Sequence, residues 1–360
     1  MTGNNPALPL LSVCCLGYKH ARFLEENVRS ICAIDYPNIE IIAVDDGSQD
    51  NSVELLNRLA AEIPLKMTVI GQENTGNVGK NFNTALRQAQ GELIAFIAMD
   101  DVFNPPVVLK QIQSMADNPK LLFNAATKMV SINDQGFISG NFTSPPAHDM
   151  EAPTVAALLD LEYSHFGGFY IQGCLFRKSL LDAVGGFDEN QTGDDLVLRT
   201  KIFRHMLAER SEDFVLTKEN ACFYRLHDNN VHKNLGRQIK IVTEYLGKYW
   251  PERPLPDMLI DWMVNTVGLL GIEKSIDILA MNPVAASTLL HEKVQTALKQ
   301  AATEKNKRIS WYKRCKHLLF KRIKDGDKRT LVFFSSLKFS YRKKSKPRPS
   351  ENAVHYTNYR

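Results

Sequence analysis

Residues 93–101 constrain the fold of this chain more than any other stretch of its sequence. Leu93 to Met99 form an uncharged apolar run, and two adjacent carboxylates, Asp100 and Asp101, end it. Such a run is typical of a central strand in a parallel sheet that is covered on both faces. Ligands of open α/β sheets bind at the carboxyl ends of the strands, where two adjacent acids repel each other. A divalent cation carrying a phosphate ester would stabilise them; alternatively, Asp101 caps the next helix and Asp100 is solvated.

Short apolar segments alternate with helical segments through the first hundred residues. Each predicted strand is followed by a helix of roughly 10–12 residues, the pattern of βαβ units in a parallel sheet. The predicted strands are Leu10–Leu16, Ile39–Val44 and Met67–Ile70, and the predicted helices are Ala21–Ala33, Asn51–Glu62 and Asn81–Gln90. The fold class is therefore α/β, and the pattern becomes purely helical after about Arg237.

Three acidic pairs lie where a predicted strand ends or a helix begins: Asp45-Asp46, Asp100-Asp101 and Asp194-Asp195. Each pair alone is typical of a turn or a helix cap. At one rim of a sheet, however, an acid after the second strand can accept hydrogen bonds from a base or ribose, and an acid after the fourth can hold a hard cation. Together the pairs therefore indicate a site for a nucleotide and a metal.

The loop at residues 74–81 contains two glycines and Lys80 and leads into a helix. It is neither a G-x-G-x-x-G nor a Walker A sequence, so neither the dinucleotide-binding nor the P-loop class is supported. A helix N-terminus with a nearby lysine still suits a phosphate group.

Several ordered motifs closely resemble those of glycosyltransferase family 2. They are Ser12-Val13 with Tyr18–Leu24, Tyr36–Ser48, Asn74–Asn81, Gly91–Asp101 and Val184–Glu189, and the resemblance covers roughly residues 8–230. It implies a GT-A fold, in which a Rossmann-like nucleotide half is fused to a mixed acceptor half. It also implies inverting transfer of a sugar from a nucleotide-sugar, with a divalent metal, Mn²⁺ or Mg²⁺, as cofactor.

The resemblance implies donor contacts at particular residues. Tyr18 with Asp45 and Asp46 would hold the nucleobase and ribose, and Lys80 would lie near the diphosphate. Asp100 would be the last acid of the D-x-D metal motif.

Two positions depart from the family pattern. Ala98 stands where the family has the first acid of the metal motif, and Lys19 replaces the usual Asn after the Tyr. Because the last acid usually contacts the metal in this family, Asp100 keeps a metal role in the prediction.

Gly193-Asp194-Asp195-Leu196 resembles the Glu-Asp motif of the family, with Asp195 as the general base and Asp194 in place of Glu. An acceptor hydroxyl must lose its proton as it attacks the anomeric carbon, and a positioned carboxylate that takes this proton accelerates the step by roughly 10²–10⁴-fold. The alternative is that both acids only cap the helix that follows them.

Tyr224 to Asn230 resembles the Tyr-Arg-x-His-x-x-Asn segment that occurs late in many members. His227 could complete a metal shell, because imidazole beside carboxylate suits Mn²⁺. Arg225 could bind phosphate through its forked donors. The other histidines, His20 included, receive no role in this prediction.

Charge divides the chain into an acidic body and a basic tail. From Lys299 onward there are 19 Lys and Arg against 4 Asp and Glu, so this segment carries +15 and the rest carries −11. We expect a GT-A domain over residues 1–236, a helical extension over 237–304 and a partly disordered tail over 305–360. Aromatic and basic residues are mixed in the tail, which suits an anionic membrane surface. RNA binding fits the same composition, but we do not expect nucleic acid as the partner.

The six cysteines are scattered without a C-x-x-C pair, and neither a secretory leader nor an apolar run long enough to span a bilayer is recognised. We therefore expect a cytoplasmic protein, peripheral to the inner face of the membrane. The predicted function is inverting sugar transfer, from a UDP-sugar to a glycan or lipid-linked acceptor, in bacterial surface polysaccharide synthesis such as capsule or lipopolysaccharide. The alternatives are a catalytically impaired nucleotide-sugar-binding protein, motivated by Ala98, and a nucleic-acid-binding protein led by the basic tail.

Overall fold

The computed structural model of the protein describes residues 8–227, 234–303, 320–325, 328–333 and 337–342, with backbone alone for 141–143 and for the last three ranges. The amino-terminal part alternates strands and helices, as predicted. The elements are β1 (Leu11–Gly17), α1 (Leu24–Cys32), β2 (Ile39–Asp45), α2 (Ser52–Glu62), β3 (Lys66–Gly71), α3 (Val78–Gln88) and β4 (Leu93–Ala98). Strand β1 pairs in parallel with β2 and β4, and β2 pairs in parallel with β3. The carboxyl ends of these strands therefore meet at one edge.

The following segment extends the sheet to nine strands and makes it mixed. It contains β5 (Val102–Phe103), α4 (Pro105–Asp117), β6 (Phe123–Ile132), β7 (Ile138–Thr143), α5 (Val155–Ser164), β8 (Cys174–Arg177), α6 (Lys178–Ala183), α7 (Asp195–Ala208) and β9 (Phe214–Arg225). The strand order is β3-β2-β1-β4-β8-β6-β9-β5, with β7 beside β6. Strand β8 runs antiparallel to β4 and β6, whereas β9 is parallel to β6.

Helices cover both faces of the sheet, because successive side chains of a strand point to opposite faces. Val13 and Cys15 of β1 belong to a core layer shared with α1, α2 and α4. Cys14 between them belongs to a second layer, shared with α3, α5, α6 and α7. Burial on both faces explains why β1 and β4 are apolar without alternation.

The carboxyl-terminal part is helical up to residue 303, as predicted. Its helices are α8 (Leu235–Tyr249), α9 (Asp257–Leu279), α10 (Pro283–Ser287) and a helix over residues 292–303. Gly271 interrupts α9 with a φ of 74°, a conformation that glycine adopts without strain. Among the described residues, no helix combines the length and apolarity needed to cross a bilayer.

Contacts between Cα atoms divide the chain into two units, residues 1–295 and 296–360. The second unit contains an antiparallel sheet of β10 (Phe320–Asp325), β11 (Lys328–Phe333) and β12 (Leu337–Arg342). The sequence did not predict these strands. The rest of the basic tail, including the expected disorder, lies outside the described residues, and the division at residue 236 stays a prediction.

Phe96 of β4 tests how strongly the central strand depends on its packing. Its side chain is 0% exposed, and its ring lies 5.1 Å from the ring centroids of both Phe82 and Phe187. We expect Phe96→Ala to lower the free energy of unfolding by about 3–5 kcal/mol, because the cavity left in the core does not fully collapse. Phe137 is 69% exposed, so Phe137→Ala should change it by less than about 0.5 kcal/mol. Urea unfolding curves measure both, and equal effects would contradict this account of the core.

Candidate active site

A cleft of about 2210 Å³ opens at the carboxyl ends of β1, β2 and β4. Its lining includes residues from all three acidic pairs: Asp46, Asp100 and Asp101, and Asp194 and Asp195. The same lining contains Tyr18, His20, Ala98, Arg199 and His227. The structure therefore brings together residues that the sequence separates by up to about two hundred positions.

The two acids after β2 differ in what they bind. Both oxygens of Asp45 accept hydrogen bonds from Ser48, from its backbone N–H at 2.8 Å and its hydroxyl at 2.6 Å. Asp45 thus closes the turn after β2 and is 1% exposed. Asp46 lines the cleft and accepts from the N–H groups of Thr75 at 2.8 Å and Gly76 at 3.2 Å. It therefore joins the end of β2 to the glycine-containing loop.

The close approach of these two loops requires a glycine after Asp46. Gly47 has a φ of 76°, and a Cβ built on it would lie 2.5 Å from the backbone nitrogen of Asn74. Any larger residue would push the glycine-containing loop away from Asp46.

Tyr18 and Lys19 lie in the loop after β1, on the cleft wall. Tyr18 is 42% exposed, and the Lys19 ammonium lies 4.9 Å from the centroid of its ring. The backbone N–H of Lys19 donates to the Ser48 hydroxyl at 2.7 Å, so the turns after β1 and β2 are fixed to each other. The tyrosine ring is left as an accessible flat surface at the edge of the cleft.

Lys80 lies in the first turn of α3 and is exposed, outside the residues that line the cleft. Asn77 caps this helix by accepting from the Lys80 N–H at 2.9 Å. The same side chain donates to the carbonyls of Glu189 at 3.0 Å and Gln191 at 3.2 Å. The loop before α3 is thus held to the segment that follows Gly185-Gly186.

Asp100 lies between two histidines, one of which the sequence did not single out. Its Oδ2 lies 2.8 Å from Nε2 of His227, and its Oδ1 lies 3.6 Å from Nδ1 of His20. Burial opposes ionisation of Asp100, but the hydrogen bond with His227 and the proximity of His20 bring its pKa below the ordinary value. Burial lowers the pKa of His20, which favours a neutral imidazole. The site thus pairs an ionised carboxylate with a neutral ring nitrogen.

These three residues fit a divalent transition metal. Each offers one ligand atom, and the three atoms lie within 4.8 Å of one another. Within the described part of the chain, Asp100 Oδ1 and His20 Nδ1 are buried without a hydrogen-bond partner. Buried polar atoms rarely lack a partner, so the pair indicates a place for a bound group. Carboxylate and imidazole are ligands that suit Mn²⁺.

Arg225 does not line the cleft. Its side chain is 0% exposed, and its guanidinium donates to the Asp100 carbonyl at 2.7 Å, to the Asn133 carbonyl at 2.9 Å and to the Glu26 carboxylate. Its backbone N–H donates to Asp101 Oδ1 at 2.8 Å. The expected contact of Arg225 with phosphate is therefore not present in this geometry, because the guanidinium fixes the acidic turn from behind. Asp228, Asn229 and Asn230 of the same motif lie outside the described residues.

Asp101 differs sharply from its neighbour. Burial raises the pKa of the Asp101 carboxyl well above its ordinary value, and the adjacent charge of Asp100 adds to the rise. The carbonyl of Asp101 accepts from Asn27 at 2.8 Å, and its own N–H donates to the Ala98 carbonyl at 3.1 Å. Asp101 is therefore a buried part of the turn, and Asp100 is the acid that meets the histidines.

Asp195 begins α7, and its carboxylate reaches the cleft. Its Oδ2 accepts from the Ile171 N–H at 3.2 Å and lies 3.5 Å from the Arg199 guanidinium. The side chain is 28% exposed. Burial raises the pKa of Asp195 to about 7, the charge of Asp194 adds to the rise, and Arg199 opposes it. A carboxylate with this pKa takes a proton far more readily near neutral pH than an ordinary aspartate.

Three site residues carried no recognisable signal in the sequence. His20 is one histidine among nine, and Glu162 and Arg199 lie within helices where charged residues are usually solvated. In the structure Glu162 is 0% exposed and Arg199 is 3% exposed. Only the fold shows that His20 joins Asp100 and His227, and that Arg199, held by Glu162, reaches Asp195.

Comparison with known proteins finds one matching family model and several similar proteins. Residues 12–185 match the sequence model of glycosyl transferase family 2. An uncharacterized glycosyltransferase of Nostoc sp. (strain PCC 7120) is 26% identical over 229 residues, which cover 62% of this chain and 66% of that protein. The poly(ribitol-phosphate) beta-N-acetylglucosaminyltransferase TarS of Staphylococcus aureus is 32% identical over 95 residues, 26% of this chain and 16% of that protein. The chain spans between 43% and 66% of the length of the first three curated relatives that it matches.

Solved structures show the same fold. The structure of TarS 1-349 in complex with UDP-GlcNAc superposes with a TM-score of 0.50 at 16% identity, covering 90% of this chain and 97% of that one. The mannosyltransferase PcManGT from Pyrobaculum calidifontis, in complex with GDP-Man and Mn²⁺, also gives 0.50 at 18% identity, covering 82% and 84%. The mixed sheet is thus the GT-A fold that the sequence predicted. Residues 12–185 thus carry the sequence pattern of glycosyl transferase family 2, and together with the relatives named as glycosyltransferases this match supports a transferase enzyme.

Proposed function

We propose that the protein is an inverting glycosyltransferase that moves a sugar from a nucleotide-sugar, most simply a UDP-sugar, to a hydroxyl of a glycan or lipid-linked acceptor. The observation that carries this proposal is that Asp46, Asp100 and Asp195 line one cleft. A single donor molecule in this cleft could therefore have its nucleoside beside Asp46, a cation on Asp100 and its reacting carbon near Asp195. The names of similar proteins support the transfer reaction, and TarS in complex with UDP-GlcNAc supports a UDP-sugar donor.

Donor binding would use the loops after β1 and β2. The exposed ring of Tyr18 offers a face on which a base can stack, and Asp46 offers acceptor oxygens beside it. Asp45 would support this region indirectly, because Ser48 occupies both of its oxygens. Lys80 would act on the diphosphate only as a nearby positive charge, since it lies outside the cleft lining.

Asp195 would act as the general base. It takes the proton of the acceptor hydroxyl as that oxygen bonds to the anomeric carbon, and the bond from this carbon to the diphosphate breaks on the opposite face. The raised pKa of Asp195, about 7, suits the task because a stronger base drives proton transfer further. Asp194 contributes the negative charge that helps to raise this pKa.

A divalent metal would be held by His20, Asp100 and His227. When bound, it supplies positive charge that stabilises the departing diphosphate. The chain keeps Asp100 ionised and His20 neutral, the protonation states that coordination requires. Ala98 contributes no carboxylate, and His20 instead supplies a third ligand atom to the cluster with Asp100 and His227. The catalytically impaired alternative is therefore not favoured.

Removal of either histidine tests the metal proposal. We expect His20→Ala and His227→Ala each to weaken Mn²⁺ binding by about tenfold or more, because each deletes one ligand. Isothermal titration with MnCl₂ measures the affinity. His148 bonds to Thr127 and does not line the cleft, so His148→Ala serves as the matched control. Unchanged Mn²⁺ affinity in both cleft variants would contradict the proposal.

Substitution of Asp195 tests the catalytic proposal. UDP-, GDP-, TDP- and CMP-sugars are first screened by thermal shift with and without Mn²⁺, and turnover of the donor that binds is then measured. We expect Asp195→Asn to lower kcat by about 10²–10⁴-fold while the Kd of the donor changes less than about threefold, because the carboxylate acts on the acceptor proton. The exposed Asp182→Asn, on α6, is the control for loss of a carboxylate. A wild-type protein that binds a nucleotide-sugar but neither transfers nor hydrolyses it would favour the impaired alternative.

We infer that the basic tail places the enzyme at an anionic membrane surface, where a lipid-linked acceptor is found during surface polysaccharide synthesis. The support is the charge of +15 from Lys299 onward and the aromatic residues mixed into the same segment. Each basic residue near such a surface contributes about 1 kcal/mol. A cytoplasmic location fits the five described cysteines, all of which are free thiols.

Deletion of residues 305–360 tests the role of the tail. We expect the full chain to sediment with vesicles containing anionic phosphatidylglycerol and to be released by salt, because the attraction is electrostatic. The truncated protein should lose this binding, and vesicles of phosphatidylcholine alone should bind neither form. If the tail instead retains single-stranded RNA and no vesicle, the nucleic-acid alternative replaces the membrane proposal.

A further inference from the structure

A buried ion pair lies directly behind Asp195. Glu162 of α5 and Arg199 of α7 are 0% and 3% exposed. Arg199 donates through Nε to one oxygen of Glu162 at 2.8 Å and through a terminal nitrogen to the other at 3.1 Å. Its remaining terminal nitrogen lies 3.5 Å from Asp195 Oδ2. The three side chains form one connected row that ends in the cleft.

The surroundings hold this pair in a single geometry. The N–H of Gly168 donates to Glu162 at 3.0 Å, and the Arg199 guanidinium lies 5.5 Å from the centroid of the Phe169 ring. Gly167 has a φ of 142°, and a Cβ built there would lie 2.7 Å from an Arg199 nitrogen. The positive φ at this position disfavours any residue but glycine, and the loop between α5 and β8 passes close to the guanidinium.

A buried ion pair of this kind is a poor source of stability. Removing two charges from water costs several kcal/mol, and well-packed apolar residues of similar volume often serve as well or better. Only two of the three guanidinium nitrogens of Arg199 bond to Glu162, and the third points toward Asp195. A requirement on the orientation of Asp195 accounts for this arrangement where stability does not.

We propose that Glu162 and Arg199 are positioning residues for Asp195: Glu162 holds and neutralises the guanidinium, and the guanidinium in turn fixes the carboxylate that faces the cleft. This inference rests on the proposed function, in which Asp195 takes the acceptor proton. Arg199 borders the cleft but is only 3% exposed, and in this proposal both residues act through Asp195 rather than on the substrate.

Neutralisation matters because a free positive charge would weaken the base. An opposite charge within about 4–6 Å lowers the pKa of a carboxyl by roughly 1–3 units. Among the residues that the structure describes, five ionisable groups face Asp195: Asp194 just before its helix, Arg199 within it, Glu162 from α5, and Tyr170 and Cys174 from the segment leading into and beginning β8. Arg199 is the only cation among these five, and Glu162 offsets it at close range. Asp195 therefore keeps a contact that orients it without becoming a weak base.

Opposite charge changes at the two positions give opposite effects on the pH profile. The wild-type kcat/KM should rise with pH and level off above about pH 7, because the free enzyme must carry Asp195 ionised. In Glu162→Gln the guanidinium is no longer neutralised, so the midpoint should fall by about one pH unit, and activity at pH 6 relative to the plateau should rise roughly fivefold. In Arg199→Met the midpoint should instead rise by about one unit.

Matched controls separate this effect from general disruption. Glu25 and Arg29 form an exposed pair on α1 at 2.7 Å, and the same substitutions there, Glu25→Gln and Arg29→Met, should leave the midpoint unchanged. Because Arg199→Met leaves Glu162 buried without its partner, the double variant Glu162→Gln/Arg199→Met provides an uncharged interior, and its midpoint should lie between those of the two single variants because the two charge removals partly cancel. The KM for the donor should stay within about twofold in all variants, because Asp195 acts on the acceptor.

Two outcomes would overturn the inference. One is an equal pH midpoint of kcat/KM in Glu162→Gln and the double variant, with activity lowered by the same factor at every pH. The ion pair would then be only a structural link between α5 and α7. The other concerns the pKa of Asp195 itself, which carbon-13 NMR of its carboxyl measures without turnover, with Asp195→Asn to assign the signal. An equal pKa in all variants would overturn the inference, because the two single variants must shift it in opposite directions. An absence of transfer in the wild type would count against the proposed function, whereas the NMR shifts would still decide the electrostatic role.

Discussion

The buried guanidinium of Arg225 organises the acidic end of the sheet. It binds the Asp100 carbonyl, the turn between β6 and β7 and Glu26 of α1, while the Arg225 backbone N–H binds Asp101. The end of β9 is thereby fixed against the end of β4. His227 follows Arg225 by two residues and so is delivered to Asp100. The proposed metal site, between residues that are 127 positions apart, thus depends on one arginine that does not line the cleft.

Four cleft carboxyls show how environment assigns different tasks to one residue type. Asp46 accepts a backbone N–H on each of its oxygens and shapes a loop. The pKa of Asp100 falls, despite burial, through its neighbouring histidines, whereas burial raises that of its neighbour Asp101. Burial and an adjacent acid bring the pKa of Asp195 to about 7. These differences follow from solvation and nearby charge, and no sequence motif specifies them.

The sequence predicted the parallel half of the fold because local sequence patterns determine that half. Apolar runs of strand length, helical spacing between them and acids at the strand ends all follow from neighbours along the chain. The antiparallel pairing of β8 between β4 and β6, and the strands β10 to β12, depend on partners far away or on short segments with mixed composition. The same limit applies to the site. Asp100 and Asp195 were recognisable by motif, but His20, Glu162 and Arg199 acquire their surroundings only through long-range packing, and the burial of Arg225 reversed the contact expected for it.

The position of Asp46, held by two backbone N–H groups at the wall of the cleft, has a consequence for ligand selection. Its oxygens accept from Thr75 and Gly76 and keep further lone pairs, so in the proposed donor site a base that donates to Asp46 exchanges a hydrogen bond to water for one to the carboxylate and gains little net affinity there. A base that presents an acceptor at the same position faces the full repulsion of a buried carboxylate. Such a residue therefore discriminates by weakening the binding of wrong ligands, and it adds little to the affinity for the right one.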